Sequence, residues 1–430
     1  MLQLSFVNFR KDSFIIVEGK AESENFYIIQ SGQVRTFREV EVSRQDQNIL
    51  GPGDFVGVVS CMSGHSRTES AVALTDVVAI SVRRNQYPEL IQNNTSVAMK
   101  IIRTFANKMR TLNETLTLIT LKNNIVSSFE ELFSIASYYE KVGKYNLAIY
   151  GYYQYLKACP NGYHLNDAKK RFIALKPRTN AVYFETPPEN IRNYPKDTMI
   201  FSECQSGNEM YIIQDGQVKI SKVVDGKEVI LAVLKKGDFF GEMALLENKP
   251  RSASAIAHEN CRLMAVNRQN FDQMVSTQPQ LIARLTTTLA DRLWAMTRQM
   301  ANTQIKEPLH KLLDMLALQL EKNKIPYTKG YPYTLDLSMY DLANMCGIPQ
   351  EEQSVALDQL MRDHRVKIEG NKILVKDCYE LVYSAALFRK QTRYFSRYLI
   401  YEVFSIIKFS KETLLRIVFF NVCFWIFSRF

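Results

Sequence analysis

The chain has 430 residues, 46% apolar and 23% charged, too long for one hydrophobic core and too apolar for a disordered protein. Its formal net charge is +10, but residues 383–430 hold eight Lys or Arg against two Glu, so the basic excess sits mainly in the tail. Seven scattered cysteines and five isolated histidines, without a CxxC pair or ligand spacing, argue against a zinc or iron–sulfur site and against a disulfide framework, and fit a cytoplasmic protein.

Met1–Phe9 alternates and is too short for an apolar h-region, so no signal peptide is expected. Short strands are predicted at Ser13–Val17, Phe26–Gln30 and Val34–Arg38, with Gly32 in a hairpin that needs positive φ. The run Tyr27-Ile28-Ile29-Gln30-Ser31-Gly32-Gln33-Val34 returns as Tyr211-Ile212-Ile213-Gln214-Asp215-Gly216-Gln217-Val218, 184 residues later. Gly53-Asp54-Phe55-Val56-Gly57 meets Gly237-Asp238-Phe239-Phe240-Gly241, and the helical stretch Phe105–Met109 meets Leu289–Leu293, at the same offset. A register held over roughly ninety residues is a duplicated domain. In the second copy the strands fall at Met199–Ser202, Met210–Gln214 and Val218–Val223, with a further turn at Asp225-Gly226. Leu281, Ile282, Leu285, Leu289, Leu293 and Met296 then follow helical spacing. The expected fold class is α+β multidomain: two antiparallel β-rolls, residues 1–120 and 181–304, each ending in a long helix.

Between the rolls, residues 121–180 read as helices. Leu132, Ile135, Ala136 and Tyr139 line one, and Gly143, Tyr145, Ala148, Tyr152, Tyr155 and Pro160 follow. Over 129–162 these positions resemble one tetratricopeptide repeat, capped by a helix near His164–Leu175. Two readings stay open, a helical spacer or a protein-partner site over 129–175. The Pro-containing stretch Lys176–Pro195 reads as the linker into the second roll.

The chemistry lies in Phe240-Gly241-Glu242-Met243-Ala244-Leu245-Leu246, followed by Pro250-Arg251-Ser252-Ala253-Ser254. This pattern resembles the phosphate-binding cassette of cyclic-nucleotide-binding domains, as in Crp/Fnr transcription factors and protein kinase A regulatory subunits. The resemblance implies a cyclic-nucleotide site built from Gly241, Glu242, Ala244, Leu245, Arg251, Ser252 and Ala253. Gly241 lets backbone approach the ligand, and residues 242–246 form a short helix whose free N–H groups face an anion. Arg251 offers a permanently charged fork to the phosphate, Glu242 accepts the ribose hydroxyl, and Ser252 donates a further hydrogen bond. Arg292 sits where a Crp-type protein uses an arginine on the following helix, against ligand or a partner helix. Trp294 is read either as a lid on the purine or as a core or dimer-interface residue. Met296 brings no hydroxyl where Crp-type helices offer one to adenine, though Thr297 follows; cyclic AMP (cAMP) is favoured over cyclic GMP.

The first copy departs from this pattern. It reads Gly57-Val58-Val59-Ser60-Cys61 and Ser66-Arg67-Thr68-Glu69-Ser70, with Val58 in place of the carboxylate and Glu69 beside the arginine. Losing that charged hydrogen bond costs about 1.5–3 kcal/mol. This roll is therefore expected to be structural, or specific for another ligand.

Residues 305–382 resemble the winged helix-turn-helix of Crp/Fnr regulators, with a helix over Leu337–Cys346, a second from Gln350 to Asp363, and a wing over Lys367–Val375. The resemblance implies DNA contacts from Gln350, Glu351, Ser354 and Arg362. The start of the second helix carries Glu351 and Glu352 and no arginine, against the basic habit of DNA readers. The tail, 383–430, has its longest apolar run at Ile417–Ser428, short of the roughly 20 residues that span a bilayer. A membrane-surface segment, a dimerisation arm and a stretch without stable fold all stay open. The expected function is a cytoplasmic, homodimeric, cAMP-responsive transcriptional regulator, the alternative being a signalling or scaffold protein that binds no DNA. No enzyme is expected, since the chain shows no nucleophile–base pair, P-loop or metal site.

Overall fold

The computed structural model describes residues 4–390 apart from 22, 39–47, 122–127, 181–183, 225, 248 and 327. The chain divides into two compact units, residues 1–297 and residues from 298 onward.

The first roll is built from β1 (Ser5–Phe9), β2 (Phe14–Ile16), β3 (Asn25–Ser31), β4 (Val34–Phe37), β5 (Asn48–Leu50) and β6 (Phe55–Val56). After them come α1 (Val58–Ser63), β7 (Ser70–Ala73), β8 (Val77–Arg83), α2 (Tyr87–Asn93) and the long α3 (Thr95–Leu121). The spacer contributes α4 (Glu131–Lys141), α5 (Tyr145–Ala158) and α6 (Leu165–Leu175). The second roll repeats the first with β9 (Ile191–Tyr194), β10 (Met199–Phe201), β11 (Glu209–Asp215), β12 (Val218–Val224) and β13 (Lys227–Leu234). It closes with β14 (Phe239–Phe240), α7 (Glu242–Glu247), β15 (Ser254–Ala257), β16 (Cys261–Asn267), α8 (Arg268–Thr277) and α9 (Pro279–Thr303).

Each roll folds two antiparallel four-stranded sheets. Their orders are β1-β8-β3-β6 and β2-β7-β4-β5 in the first, β9-β16-β11-β14 and β10-β15-β12-β13 in the second. The duplication extends to irregularities: the ladder slips between Ile29 and Ser31 and again between Ile213 and Asp215. It extends to backbone demands as well. Gly32 has φ +91 and Gly216 φ +79, and a Cβ at either would fall 2.3 or 2.2 Å from the carbonyl oxygen of Asp76 or Asn260. No other residue fits there without moving the facing chain. One expectation needs correction: the stretch read as a linker ends in strand β9, where Leu263 pairs with Arg192 and Cys261 with Tyr194. Arg192 is buried in a bidentate pair with Glu209, at 2.8 and 2.9 Å, so a charged residue sits at an inward position and hides the strand's alternation.

Apolar spacing explains how the helices assemble. Ile101, Ile102, Phe105 and Met109 of α3 share one buried cluster with Ile282, Leu285, Leu289 and Leu293 of α9. Tyr87 of α2 meets Thr286 of α9 through their hydroxyls at 3.1 Å. The spacer helices bury Leu132, Ala136, Tyr139, Ala148, Tyr152 and Tyr155 together with Met199, Cys204 and Ile256 of the second roll.

A polar knot joins spacer and roll. Glu228 on β13 accepts from Lys144 at 2.9 Å, Ser221 at 2.9 Å and Tyr139 at 3.4 Å, and pairs with Lys219 at 2.7 Å. Burial alone would raise its pKa, but the bonds from Lys219, Lys144 and Ser221 outweigh it and hold the carboxyl down at about 2. A carboxyl depressed in the folded state stabilises fully above its unfolded pKa, and that contribution drains away as pH falls toward the folded value. Glu228→Gln is thus expected to lower Tm by several degrees at pH 7, with the gap to wild type narrowing between about pH 5 and pH 3. Thermal melts at four pH values check it; a gap independent of pH removes the charged knot from the account.

The second unit runs α10 (Pro308–Lys322), β17 (Tyr333–Leu335), α11 (Met339–Met345), α12 (Gln350–Arg362), β18 (Val366–Glu369) and β19 (Lys372–Val375). Its sheet has the order β17-β19-β18, and a further helix covers 378–390. Ser338 caps α11, its hydroxyl accepting from Asp341 N at 3.0 Å, which explains the sharp start there. Within this unit the fully buried Asp314 accepts from Asn302 at 3.0 Å and pairs with Arg298 and Arg389. The tail beyond 390 lies outside the described residues. Among the described residues no helix is long and apolar enough to cross a membrane.

Candidate functional site

The turn from β14 into α7 sets the site. Gly241 has φ +78, and a Cβ there would lie 2.7 Å from Arg251 Nη1. Its bare backbone therefore makes room for the arginine of its own cassette. Helix α7 begins at Glu242, so the amides of its first turn have no acceptor inside the helix. Within it Ala244 and Leu245 are buried, and Ala253 is buried on the way into β15.

Arg251 is only 5% exposed. Its Nη1 donates to Gly241 O at 2.7 Å, its guanidinium lies 4.0 Å from the Phe201 ring centroid, and its Nε is buried with no hydrogen-bond partner. Burial pushes the guanidinium down from its ordinary pKa, opposed by Tyr211, Tyr150, Glu209 and Glu242. A buried cation with an unused donor suits an anion, because leaving such a donor unmade costs about 1–3 kcal/mol. Tyr150 of the spacer helix α5 donates its hydroxyl to Gln205 Oε1 at 3.0 Å, and the carbonyl of Gln205 accepts from Arg251 N at 2.8 Å.

Glu242 is 3% exposed and faces Arg292 of α9, Nη1 to Oε1 3.5 Å. Arg292 also donates to Phe239 O through Nη2. The carboxylate expected to accept a ribose hydroxyl is therefore paired with the α9 arginine. Ser252 is half-buried, and its hydroxyl has a 3.9 Å contact to Met243 Sδ. Thr297 turns its hydroxyl back to Leu293 O at 2.8 Å. Trp294 is 1% exposed: it stacks on His65 of the first roll at 3.9 Å and donates to Ser66 O at 3.2 Å. Of the readings of Trp294, a core residue, packed between the two rolls of the same chain, is the one its contacts match.

In the first roll Val58 is buried at the place of Glu242. Arg67 is buried too, Nη1 donating to Gly57 O at 2.9 Å and Nη2 to Asn25 O at 2.7 Å. Main-chain carbonyls thus engage both ends of its fork. Among the described residues no group of His, Cys, Asp or Glu could hold a metal ion.

In the second unit Gln350, Glu351, Ser354 and Arg362 are all exposed on α12. Gln353 folds back instead, donating to Ile348 O at 2.9 Å.

Sequence reasoning missed Arg110 on α3, which is ion-paired to Glu247 and donates to Pro250 O at 3.2 Å. Helical periodicity could place it on α3 but could not name a partner 137 residues away.

The profile of the family described as Cyclic nucleotide-binding domain matches residues 6–94 and 191–278. The CRP-like cAMP-activated global transcriptional regulator of Mycobacterium tuberculosis is 24% identical over 190 residues, 44% of this chain and 85% of that protein. The cAMP-activated global transcriptional regulator CRP of Pasteurella multocida is 28% identical over 190 residues, 43% of this chain and 90% of its own length. Among solved structures, the c-di-GMP responsive global regulator CLP of Xanthomonas campestris has 23% identity, covering 43% of this chain and 92% of that one, with a TM-score of 0.33. Two stretches of the chain, one in each roll, thus match the profile of the cyclic-nucleotide-binding domain.

Proposed function

We propose that this protein is a cyclic-nucleotide sensor whose second roll is the ligand site, and that its output is transcription control of the Crp/Fnr type. The observation that carries the reading is the buried Arg251, with its unpartnered Nε, beside the buried Glu242. A cyclic nucleotide brings one phosphate charge for the first and a ribose hydroxyl for the second. Arg292 would yield to that hydroxyl or share Glu242 with it, which couples α9 to occupancy. The curated relatives are named for cAMP, and this favours cAMP over cyclic GMP. The order helix, strand, helix, helix, strand, strand in the second unit is that of a winged helix-turn-helix and supports DNA as partner. Titration calorimetry of cAMP and cyclic GMP into the full chain tests the reading. Binding at one site per chain is the expected result, and absence of binding by either nucleotide overturns it.

A specific observation favours a second output. The solvent face of α12 carries Glu351, Glu352 and Asp358, with Val355 60% and Met361 50% exposed. Such a face fits a protein partner better than phosphate, and makes a signalling or scaffold role without DNA the rival. Mobility shift with genomic DNA decides between them. A salt slope of several units supports DNA binding, and no shift at about 50 mM salt leaves the protein-partner role.

A further inference from the structure

The two rolls reach into each other's cassettes. Arg110 of α3, 8% exposed, donates to Pro250 O, the carbonyl just before Arg251. Trp294 of α9 donates to Ser66 O, the carbonyl just before Arg67. Arg110 and Trp294 stand 184 residues apart, as do Ser66 and Pro250 and the two cassette arginines. The contacts are thus copies of one interaction, exchanged between halves that share the apolar cluster of α3 and α9. They differ in chemistry. On the first roll's cassette the visitor is an indole stacked on His65; on the second it is a guanidinium, ion-paired to Glu247, whose side chain is 3% exposed.

Glu247 ends α7, and Pro250 precedes Arg251. Arg110 therefore ties the last residue of α7, the helix that opens on Glu242, to the carbonyl just before the phosphate-site arginine. We propose that Arg110 is a positioning residue for the second roll's ligand cassette, and that the first roll acts through it as an in-chain partner that sets nucleotide affinity. The inference rests on the second roll being the cyclic-nucleotide site.

The test uses the full chain in four forms: wild type, Arg110→Ala, Arg110→Lys and Tyr87→Phe. The last removes the Tyr87–Thr286 hydroxyl contact from the same junction without touching either cassette. Calorimetry with cAMP is expected to show binding weakened about tenfold or more in R110A, the worth of one charge-assisted bond. R110K should recover part of it, and Y87F should lower Tm while keeping wild-type affinity. Hydrogen exchange in nucleotide-free protein gives a readout independent of ligand. R110A should speed exchange of amides in 242–252 at least about tenfold, and Y87F should not. Wild-type affinity in R110A, or equal loss of affinity in R110A and Y87F, overturns the proposal. If wild type binds no cyclic nucleotide, the ligand reading fails. Exchange then still decides whether Arg110 fixes the cassette: faster exchange in R110A alone keeps that role, and unchanged exchange overturns it. Should R110A fail to fold, R110K carries both measurements.

Discussion

Arg251→Ala is expected to weaken cAMP binding by at least about a hundredfold, because a phosphate loses two charge-assisted bonds worth roughly 1.5–3 kcal/mol each. The fold should survive, since the side chain's own structural bond is to Gly241 O. Arg251→Lys separates charge from geometry. A lysine keeps the cation but not the planar fork, so its affinity should fall between alanine and wild type. Calorimetry beside a thermal melt reads both quantities. Unchanged affinity in a folded R251A protein would move the nucleotide away from the second roll's cassette altogether.

Trp294→Ala should be among the most destabilising single changes in the first unit, at about 3–5 kcal/mol. Its ring is 1% exposed, stacks on His65 and gives its N–H to Ser66 O. Alanine leaves a cavity between the two halves and removes one of the two hydrogen bonds to Ser66 O, the other coming from the Ser60 hydroxyl at 3.0 Å. Trp294→Phe restores part of the volume but not the bond and should fall in between. Urea unfolding of the three proteins measures this. A loss within about 1 kcal/mol for W294A would mean that the junction is wet or absent in solution.

The duplication, the strands and the cassette were legible because they are local. Glycine turns, period-two strands and a fixed Glu242-to-Arg251 spacing each occupy a dozen residues or fewer. What the sequence concealed is the joining of distant pieces. Trp294 and Ser66 are 228 residues apart, and Glu228 meets Lys144 across 84. Periodicity assigns such residues to a face without saying what covers it. β9 was hidden for a different reason: four residues beside proline, one of them a buried arginine, carry too little alternation to be read as strand. Trp294 kept two readings for the same cause, since a purine and a neighbouring roll are equally apolar covers. The spacer helices also left two readings, and their contacts with Met199, Cys204 and Ile256 account for the apolar face on the side of the second roll.

The exchange of helices between two halves of one polypeptide bears on the shape of a dose–response curve. Two separate subunits associate according to their concentration, whereas halves of one chain meet at an effective concentration set by the segment that connects them. On the proposed reading, with Val58 in one cassette and Glu242 in the other, such a pair offers one competent site. Its response to nucleotide would then follow a simple hyperbola with a Hill coefficient of one, insensitive to how much protein the cell holds.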